Sequence, residues 1–228
     1  MKIAVTGTQC IGKSTYIKDF IKKWPMYSSP ETNYRTLIKE GKINCNELGD
    51  ETSQQLILDS LVDQIIEHSK SENVIFDRCV LDNLAYTAWL NEEGRVSDEF
   101  FEKTRLIVKE TLKLYDIIFF LPLTKFSNIK IEENGTRSID KVYREEIDLL
   151  FKVFQISYNK ADGRVFPTDD TPALIEIYGN QQERIIMTEM YLKEDGSSFG
   201  DDNSLLSDIV QAKPKIIIPK NSLDSKEN

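Results

Sequence analysis

A run of glycine, hydroxyl and basic residues near the start of the chain has the spacing of a phosphate-binding loop. After the apolar segment 2–6 comes Gly7-x4-Gly12-Lys13-Ser14, which is the P-loop, or Walker A, pattern. The two glycines allow backbone angles and close approaches that a side chain would block. Backbone N–H groups and the following helix N-terminus can then surround a phosphate. The residues predicted to bind the nucleotide are Gly7, Thr8, Gln9, Cys10, Ile11, Gly12, Lys13, Ser14 and Thr15.

Two side chains of this loop have the chemistry that nucleotide binding needs. We expect Lys13, at the solvent-facing end of the loop, to reach the β and γ phosphates, and the Ser14 hydroxyl to bind Mg²⁺. The alternative is a glycine-containing turn with an ordinary surface lysine. A helix is nevertheless predicted directly after the loop, where the P-loop needs one, by apolar residues at helical spacing: Ile17, Phe20, Ile21 and Trp24.

The end of a later apolar segment supplies a candidate metal ligand. The segment 73–76 is followed by Asp77 and Arg78, and open α/β sheets bind ligands at the carboxyl ends of their strands. We predict that Asp77 holds Mg²⁺ directly or through water. Motor ATPases commonly carry a water-activating glutamate after this aspartate, and the presence of Arg78 instead disfavours hydrolysis as the main purpose. The alternative is a surface ion pair that closes the strand.

Guanine recognition is disfavoured. A GTPase usually carries an Asn-Lys-x-Asp segment after a late strand, and the corresponding segment here, 123–126, reads Leu-Thr-Lys-Phe.

The polar segment 124–144 is a candidate lid. It contains the turn signal Asn134-Gly135, then Arg137, and then Arg144 shortly after the predicted start of a helix. Phosphoryl transfer needs positive charge around the transferred group and an element that excludes water. We therefore predict a catalytic role for Arg137 or Arg144. A solvated loop with ordinary surface arginines is the alternative.

An acidic residue after the first helix is a candidate for the acceptor side. If the chain between Glu31 and Arg35 is helical, the two side chains share a face. The Glu31 carboxylate could then orient a substrate hydroxyl or accept its proton. An ordinary Glu–Arg pair on a helix surface explains the spacing equally well.

The composition limits the class of protein. With 228 residues and a net charge of −9, the chain can form one substantial domain but does not favour a large nucleic-acid surface. Its three cysteines show no paired spacing, and one histidine excludes a histidine-rich metal site. The longest apolar run, 117–121, is too short to span a bilayer. We expect no signal sequence and a cytoplasmic protein, and the sequence leaves the oligomeric state open.

Strand and helix patterns alternate, which predicts an α/β fold with a mostly parallel sheet. We expect five strands, including a short one near 27–31, with helices on both faces. One domain is predicted over residues 1–194, followed by a flexible tail at 195–228 that lacks periodicity. Helices are expected at about 33–41, 51–69, 80–91, 97–114 and 140–159, and from Asn180 onward, where Asn180-x-x-Glu183 has the spacing of a capping box.

Together these features resemble the P-loop nucleoside and nucleotide kinases. The most similar branch is the small AAA-domain ATPase/kinase family that includes the nicotinamide riboside kinase domain of the bacterial NAD regulator. The resemblance extends over residues 1 to about 192 and implies a three-layer P-loop kinase fold with a lid. The segments that carry it are Gly7–Thr15, Glu31-x3-Arg35 with Gly41, Gln54 or Gln55, Asp77-Arg78-x3-Asp82-x2-Ala85-Tyr86, Asn134-Gly135-x-Arg137, Arg144, and Ile177-x-Gly179-x3-Glu183-Arg184.

The resemblance also implies roles for individual residues. Gly179 and Arg184 would border the adenine, and Glu31 and Arg78 would act in catalysis. Nicotinamide riboside kinases carry a different, threonine-containing segment at 77–79, whereas a planar guanidinium suits the phosphate or ribose oxygens of a nucleoside or its monophosphate. The residues expected to bind this acceptor are Glu31, Tyr34, Arg35, Arg78, Asp82 and Tyr86.

The sequence therefore predicts a kinase that uses ATP and Mg²⁺ to phosphorylate a nucleoside, a nucleoside monophosphate or a related metabolite. Two alternatives stay open. One is a nucleotide-dependent ATPase or regulatory binding module. The other is a kinase acting on nucleic-acid ends or modified bases, which the acidic composition disfavours.

Overall fold

Strands and helices alternate along the part of the chain that the computed structural model describes, which is residues 1–31, 37–38, 40–44, 46–124 and 140–199. The four strands are β1 (Lys2–Thr6), β2 (Val74–Asp77), β3 (Ile117–Phe120) and β4 (Ala173–Glu176). The six helices are α1 (Lys13–Lys23), α2 (Glu51–Glu67), α3 (Val80–Glu92), α4 (Asp98–Leu112), α5 (Lys141–Lys160) and α6 (Gln181–Thr188), with a 3₁₀ turn at Asn46–Leu48.

The strands form one parallel sheet in the order β2-β1-β3-β4. The register pairs Val5 with Asp77 and Thr6 with Phe120. The carboxyl ends of β1, β2 and β3 therefore lie at one edge, and the P-loop leaves β1 between the ends of its two neighbours. The predicted α/β fold with a parallel sheet is confirmed.

The prediction of a fifth strand is wrong for the described residues. At the expected position only Ser28 pairs with the sheet, as a single parallel bridge to Val74. Its N–H donates to the Asn73 carbonyl, and its own carbonyl accepts from Ile75. Pro30 follows closely, and proline has no N–H to continue a ladder. The segment near Ser28 therefore forms one pair of hydrogen bonds with the sheet and does not form a strand.

Alternating side chains of β1 divide the core between the two faces of the sheet. Ile3 and Val5 pack with apolar residues of α1. Ala4, together with Phe76 and Phe120 from the neighbouring strands, packs with residues of α2 to α5. Because successive side chains of a strand point to opposite faces, this division gives three layers, with helices on both sides of the sheet.

Polar side chains cap the starts of four of the described helices, α2, α4, α5 and α6. The Asp50, Ser97 and Asp140 side chains accept from backbone N–H groups of α2, α4 and α5. Asn180 and Glu183 form the predicted capping box at the start of α6. Each cap satisfies donors that the first turn of a helix leaves without an intrahelical partner.

Three predicted segments fall wholly or mostly outside the described residues. These are most of the helix at 33–41, residues 125–139 of the lid, and the tail from residue 200. The described residues just before position 200 pack against the end of α1: the Trp24 indole donates to the Lys193 carbonyl and the Tyr27 hydroxyl donates to the Gly196 carbonyl. No helix in the described ranges is long and apolar enough to cross a membrane.

Candidate active site

The P-loop needs glycine at both of its ends. Gly7 has φ +136°, and a Cβ there would lie 2.5 Å from the Leu121 carbonyl oxygen. Gly12, at φ +91°, is the N-cap of α1, and no side chain caps that helix. The first turn of α1 therefore directs backbone N–H groups into the loop without a side-chain acceptor, an arrangement that suits an anion.

Lys13 is buried, so the expectation that it lies at the solvent-facing end of the loop is wrong. Its side chain folds back under the loop, and its Nζ donates to the carbonyls of Gly7 at 2.5 Å and Thr8 at 2.8 Å. Burial, and after it the charge of Arg78, lowers the pKa of Lys13 to about 7, against the opposing charges of Asp82 and Asp77. This ammonium lies in the loop that would bind the phosphates.

Ser14 and Asp77 meet across the ends of β1 and β2. The Ser14 hydroxyl donates to Asp77 Oδ2 at 2.8 Å, because the register sets Asp77 beside the strand that leads into the loop. Mg²⁺ prefers a small number of hard protein oxygens together with phosphate and water. A hydroxyl and a carboxylate next to a phosphate loop fit that preference, so these two residues could hold the ion.

Arg78 and Asp82 form a buried ion pair next to Asp77. Arg78 Nη1 donates to Asp82 Oδ1 at 2.9 Å, and Asp82 Oδ2 accepts from the Thr6 hydroxyl at 2.7 Å and from the Cys79 N–H at 3.1 Å. The Arg78 guanidinium also lies 5.5 Å from the centre of the Tyr86 ring. Three residues predicted to bind the acceptor are thus together, with Asp82 beneath Arg78 and only 2% exposed.

Arg78 has an unusual backbone. Its φ is +85°, a region that costs free energy for a residue with a side chain and that is found disproportionately at functional sites. Its N–H donates to the Val5 carbonyl, so the strained residue is fixed directly to the strand that leads into the P-loop.

Two further arginines donate hydrogen bonds to carbonyls of the P-loop. Arg144, at the start of α5, donates from Nε to the Gln9 carbonyl at 3.3 Å. Arg184, in α6, donates from Nη1 to the Ile11 carbonyl at 2.8 Å and from Nε to the Gly179 carbonyl at 3.1 Å. Both are buried, and burial lowers the pKa of Arg184.

Other predicted site residues are less closely involved or lie outside the described residues. Glu31 is exposed, and its backbone carbonyl accepts from the Gln64 side chain. Thr15 is also exposed. Cys10 lies in the loop with φ +58°. The side chains of Tyr34, Arg35 and Arg137 fall outside the described residues, so their proposed roles stay predictions.

The sequence did not indicate a buried polar cluster between α2 and α3. The Asn83 amide donates to both the backbone and the side-chain carbonyl of Gln54, and the Thr87 hydroxyl donates to the same side chain. The available signal was the i, i+4 spacing of Asn83 and Thr87 in a helix that is otherwise apolar on that face. This cluster ties α2 to the helix that begins at the Asp77–Arg78 end of β2.

A P-loop between parallel strands, with an aspartate at the end of the neighbouring strand and helices on both faces, is an arrangement that P-loop kinases share with other P-loop nucleotide-binding proteins. The family model described as an AAA domain matches residues 2–159. The chain belongs to this family. No curated protein matches it.

Three solved structures share this fold at low sequence identity. Deoxyadenosine kinase from M. mycoides, with products dCMP and dCDP, is 20% identical, with a TM-score of 0.56 over 83% of this chain and 98% of that one. NadR in complex with NAD and AMP-PNP is 14% identical, with a TM-score of 0.57 over 82% of this chain and 47% of that one. Thymidylate kinase from Candida albicans is 16% identical, with a TM-score of 0.53 over 82% and 89%.

Proposed function

We propose that this protein is a kinase that transfers the γ-phosphoryl group of Mg²⁺-ATP to a nucleoside, a nucleoside monophosphate or a closely related metabolite. The observation that carries the proposal is a set of three buried cations around the P-loop: Lys13, Arg144 and Arg184. Within the described residues, none of the three has a carboxylate at salt-bridge distance.

Buried cations without a counter-ion are costly. A triphosphate in the loop would supply the missing negative charge, and it would bind in a site that excludes most water, where charge interactions are strong. In this proposal Lys13 turns from the loop carbonyls to the β and γ phosphates. The loop N–H groups bind the phosphate oxygens that Lys13 does not reach.

Ser14 and Asp77 would hold Mg²⁺, which would neutralise charge on the β and γ phosphates when bound. Arg78, paired with Asp82, is on the same side and would orient the acceptor. The acceptor oxygen forms the new bond to the γ phosphorus, the bond from that phosphorus to the β–γ bridging oxygen breaks, and ADP leaves. Where the acceptor is a nucleoside, its hydroxyl proton passes to a carboxylate, for which Glu31 is the candidate; an ionised monophosphate oxygen attacks without a proton to transfer. Arg137 or Arg144 would stabilise the transferred group.

The neighbours support this choice of acceptor class. Deoxyadenosine kinase and thymidylate kinase, by name, act on a nucleoside and a nucleotide. Arg78 offers a planar fork of donors next to the metal candidates, and such a fork matches ribose or phosphate oxygens. Cytoplasmic location stays a prediction.

The test is to incubate the full-length protein with labelled ATP, Mg²⁺ and a panel of nucleosides and monophosphates. We expect transfer of label to at least one member of the panel. Lys13→Met should abolish transfer, whereas Lys18→Met, an exposed lysine further along α1, should leave it unchanged. ATP hydrolysis that proceeds equally well without any acceptor would contradict a kinase and favour an ATPase or a regulatory module.

A further inference from the structure

Arg184 connects two parts of the site that are far apart in the sequence. Its guanidinium donates to Ile11 in the P-loop and to Gly179 in the loop after β4. A Cβ on Gly12 would lie 3.2 Å from Arg184 Nη1. The guanidinium therefore packs directly against the turn at which the P-loop becomes α1.

The backbone of Arg184 is itself fixed to the helix that follows the P-loop. The Tyr16 hydroxyl and the Thr188 hydroxyl are 2.7 Å apart, and both are buried. Thr188 Oγ1 also donates to the Arg184 carbonyl at 2.8 Å. Because α6 is held on α1 at this point, the backbone from which the guanidinium extends is fixed relative to the P-loop, and the position of the guanidinium itself depends on its two carbonyl acceptors.

The other end of the connection is equally constrained. Gly179 has φ +92°, and a Cβ there would lie 2.4 Å from Glu183 Oε2. The same oxygen accepts from the Asn180 N–H at 2.7 Å. The capping box therefore sets the direction of the Gly179 carbonyl, which Arg184 contacts.

The order of the strands indicates what lies near this loop. β2 and β4 lie on opposite sides of β1, so Asp77 and Arg78 flank the P-loop on one side and Gly179 flanks it on the other. If the metal and the acceptor bind on the β2 side, the sugar and base of the nucleotide bind on the side where Gly179 lies.

We propose that Arg184 is a positioning residue that couples the loop after β4 to the P-loop, so that the direction of the Gly179 carbonyl controls how well the P-loop holds a polyphosphate. The inference rests on the proposed function, because it assumes that the P-loop binds a polyphosphate. Displacing Gly179 withdraws one acceptor from the guanidinium, which then shifts and releases the Ile11 carbonyl. The Ile11 carbonyl and the Gly12 N–H belong to one peptide plane, so the direction of that N–H turns with it.

The test uses inorganic tripolyphosphate, which has no base and cannot touch Gly179. Its affinity is measured calorimetrically for the wild-type protein, for Gly179→Ala, for Arg184→Met and for the double variant. We expect each single variant to lose on the order of tenfold in affinity, the scale of a hydrogen bond to a charged group. In the double variant, Gly179→Ala should cost nothing beyond Arg184→Met.

Arg184→Lys provides a second readout. It keeps the charge but cannot donate from a fork to both carbonyls, so coupling requires it to lose affinity much as Arg184→Met does. Gln182→Met, an exposed site on the same helix, is the matched control and should bind as the wild type does. Circular dichroism of every variant would verify that the fold is retained.

Three outcomes overturn the proposal. Gly179→Ala could leave tripolyphosphate affinity unchanged, its cost could be the same with and without Arg184, or Arg184→Lys could bind as the wild type does, which would indicate that charge alone matters. If the wild-type protein bound neither ATP nor tripolyphosphate, the proposed function would fall together with this inference. If it bound both but transferred no phosphate, only the proposed function would fall.

Discussion

On the β2 side of the P-loop, the Arg78 guanidinium is paired with the buried Asp82 carboxylate, which also holds Thr6. At the phosphate-binding loop, by contrast, the Arg144 and Arg184 guanidinium groups donate to backbone carbonyls of the loop itself. A charge with a paired counter-charge costs less to bury than a lone charge, and the pair makes a rigid, pre-formed surface, as an acceptor site needs. A guanidinium whose hydrogen bonds go only to backbone carbonyls keeps its net positive charge and still attracts an anion, as a phosphate site needs.

The largest expected effect comes from removing the cation at the centre of the phosphate side. Lys13→Met should lower kcat for phosphoryl transfer by about 10²-fold or more, the scale measured for removal of one transition-state donor. Steady-state assays at saturating ATP would measure this loss. Lys18→Met is the control. If Lys13→Met kept more than a tenth of the wild-type rate, the absence of a carboxylate partner would not be a guide to which cations bind phosphate.

On the β2 side, breaking the pair of Arg78 and Asp82 should lower the stability of the fold. Asp82→Asn removes the buried carboxylate charge from its pair with Arg78, so the free energy of unfolding should fall by about 3 kcal/mol. Denaturant unfolding would measure this change, with the exposed Asp63→Asn as the matched control. KM for the acceptor should also rise more than KM for ATP. Equal stability of the two variants would contradict a structural ion pair at Arg78.

The pH dependence of nucleotide binding separates the two sides further. Burial lowers the pKa of Lys13 to about 7 in the nucleotide-free protein, and bound phosphates raise it again. Above pH 7, binding must therefore take up a proton, and affinity should fall by up to about tenfold per pH unit until the raised pKa is passed. Calorimetry at pH 8 in buffers of different ionisation enthalpy would measure the uptake.

Two comparisons decide the assignment of this proton. In Lys13→Met the uptake should disappear, because no other group in the loop takes its place. Acceptor binding, on the side where Arg78 is already paired, should show no such uptake. Nucleotide binding whose enthalpy did not depend on the buffer would refute a neutral fraction of Lys13 at pH 8.

The smallest effect is expected on the outer surface of the same two helices. Lys23 and Glu189 form an ion pair that is 44% and 40% exposed, and exposed pairs contribute little to stability because solvent and salt screen them. Lys23→Ala should therefore change the melting temperature by no more than a few degrees and leave tripolyphosphate affinity unchanged. A loss of affinity would mean that α1 and α6 transmit strain generally and that Arg184 is not special.

The sequence predicted the features that depend on local spacing. The P-loop, the strand that ends at Asp77 and the capping box at Asn180 each lie within one short segment, so their patterns are readable directly. The short strand near Ser28 was also a local signal, but its length is decided by pairing with Val74, and the chain continues the ladder for a single residue.

Contacts between distant segments explain what the sequence could not indicate. Thr6 and Asp82 are 76 positions apart, and Ile11 and Arg184 are 173 apart. Nothing in either segment says that the two will meet. The sequence places Lys13 at the solvent-facing end of its loop, whereas in the fold it is buried and donates to the Gly7 and Thr8 carbonyls.

The burial of Lys13 has a consequence for chemical modification. An amine with a pKa of about 7 is largely unprotonated at slightly alkaline pH and is therefore a nucleophile, unlike the exposed lysines elsewhere on the chain. Acylating reagents that carry a phosphate-like group should modify Lys13 first, with ATP protecting it. Mass spectrometry of the labelled peptide would then report occupancy of the P-loop even before any acceptor is known.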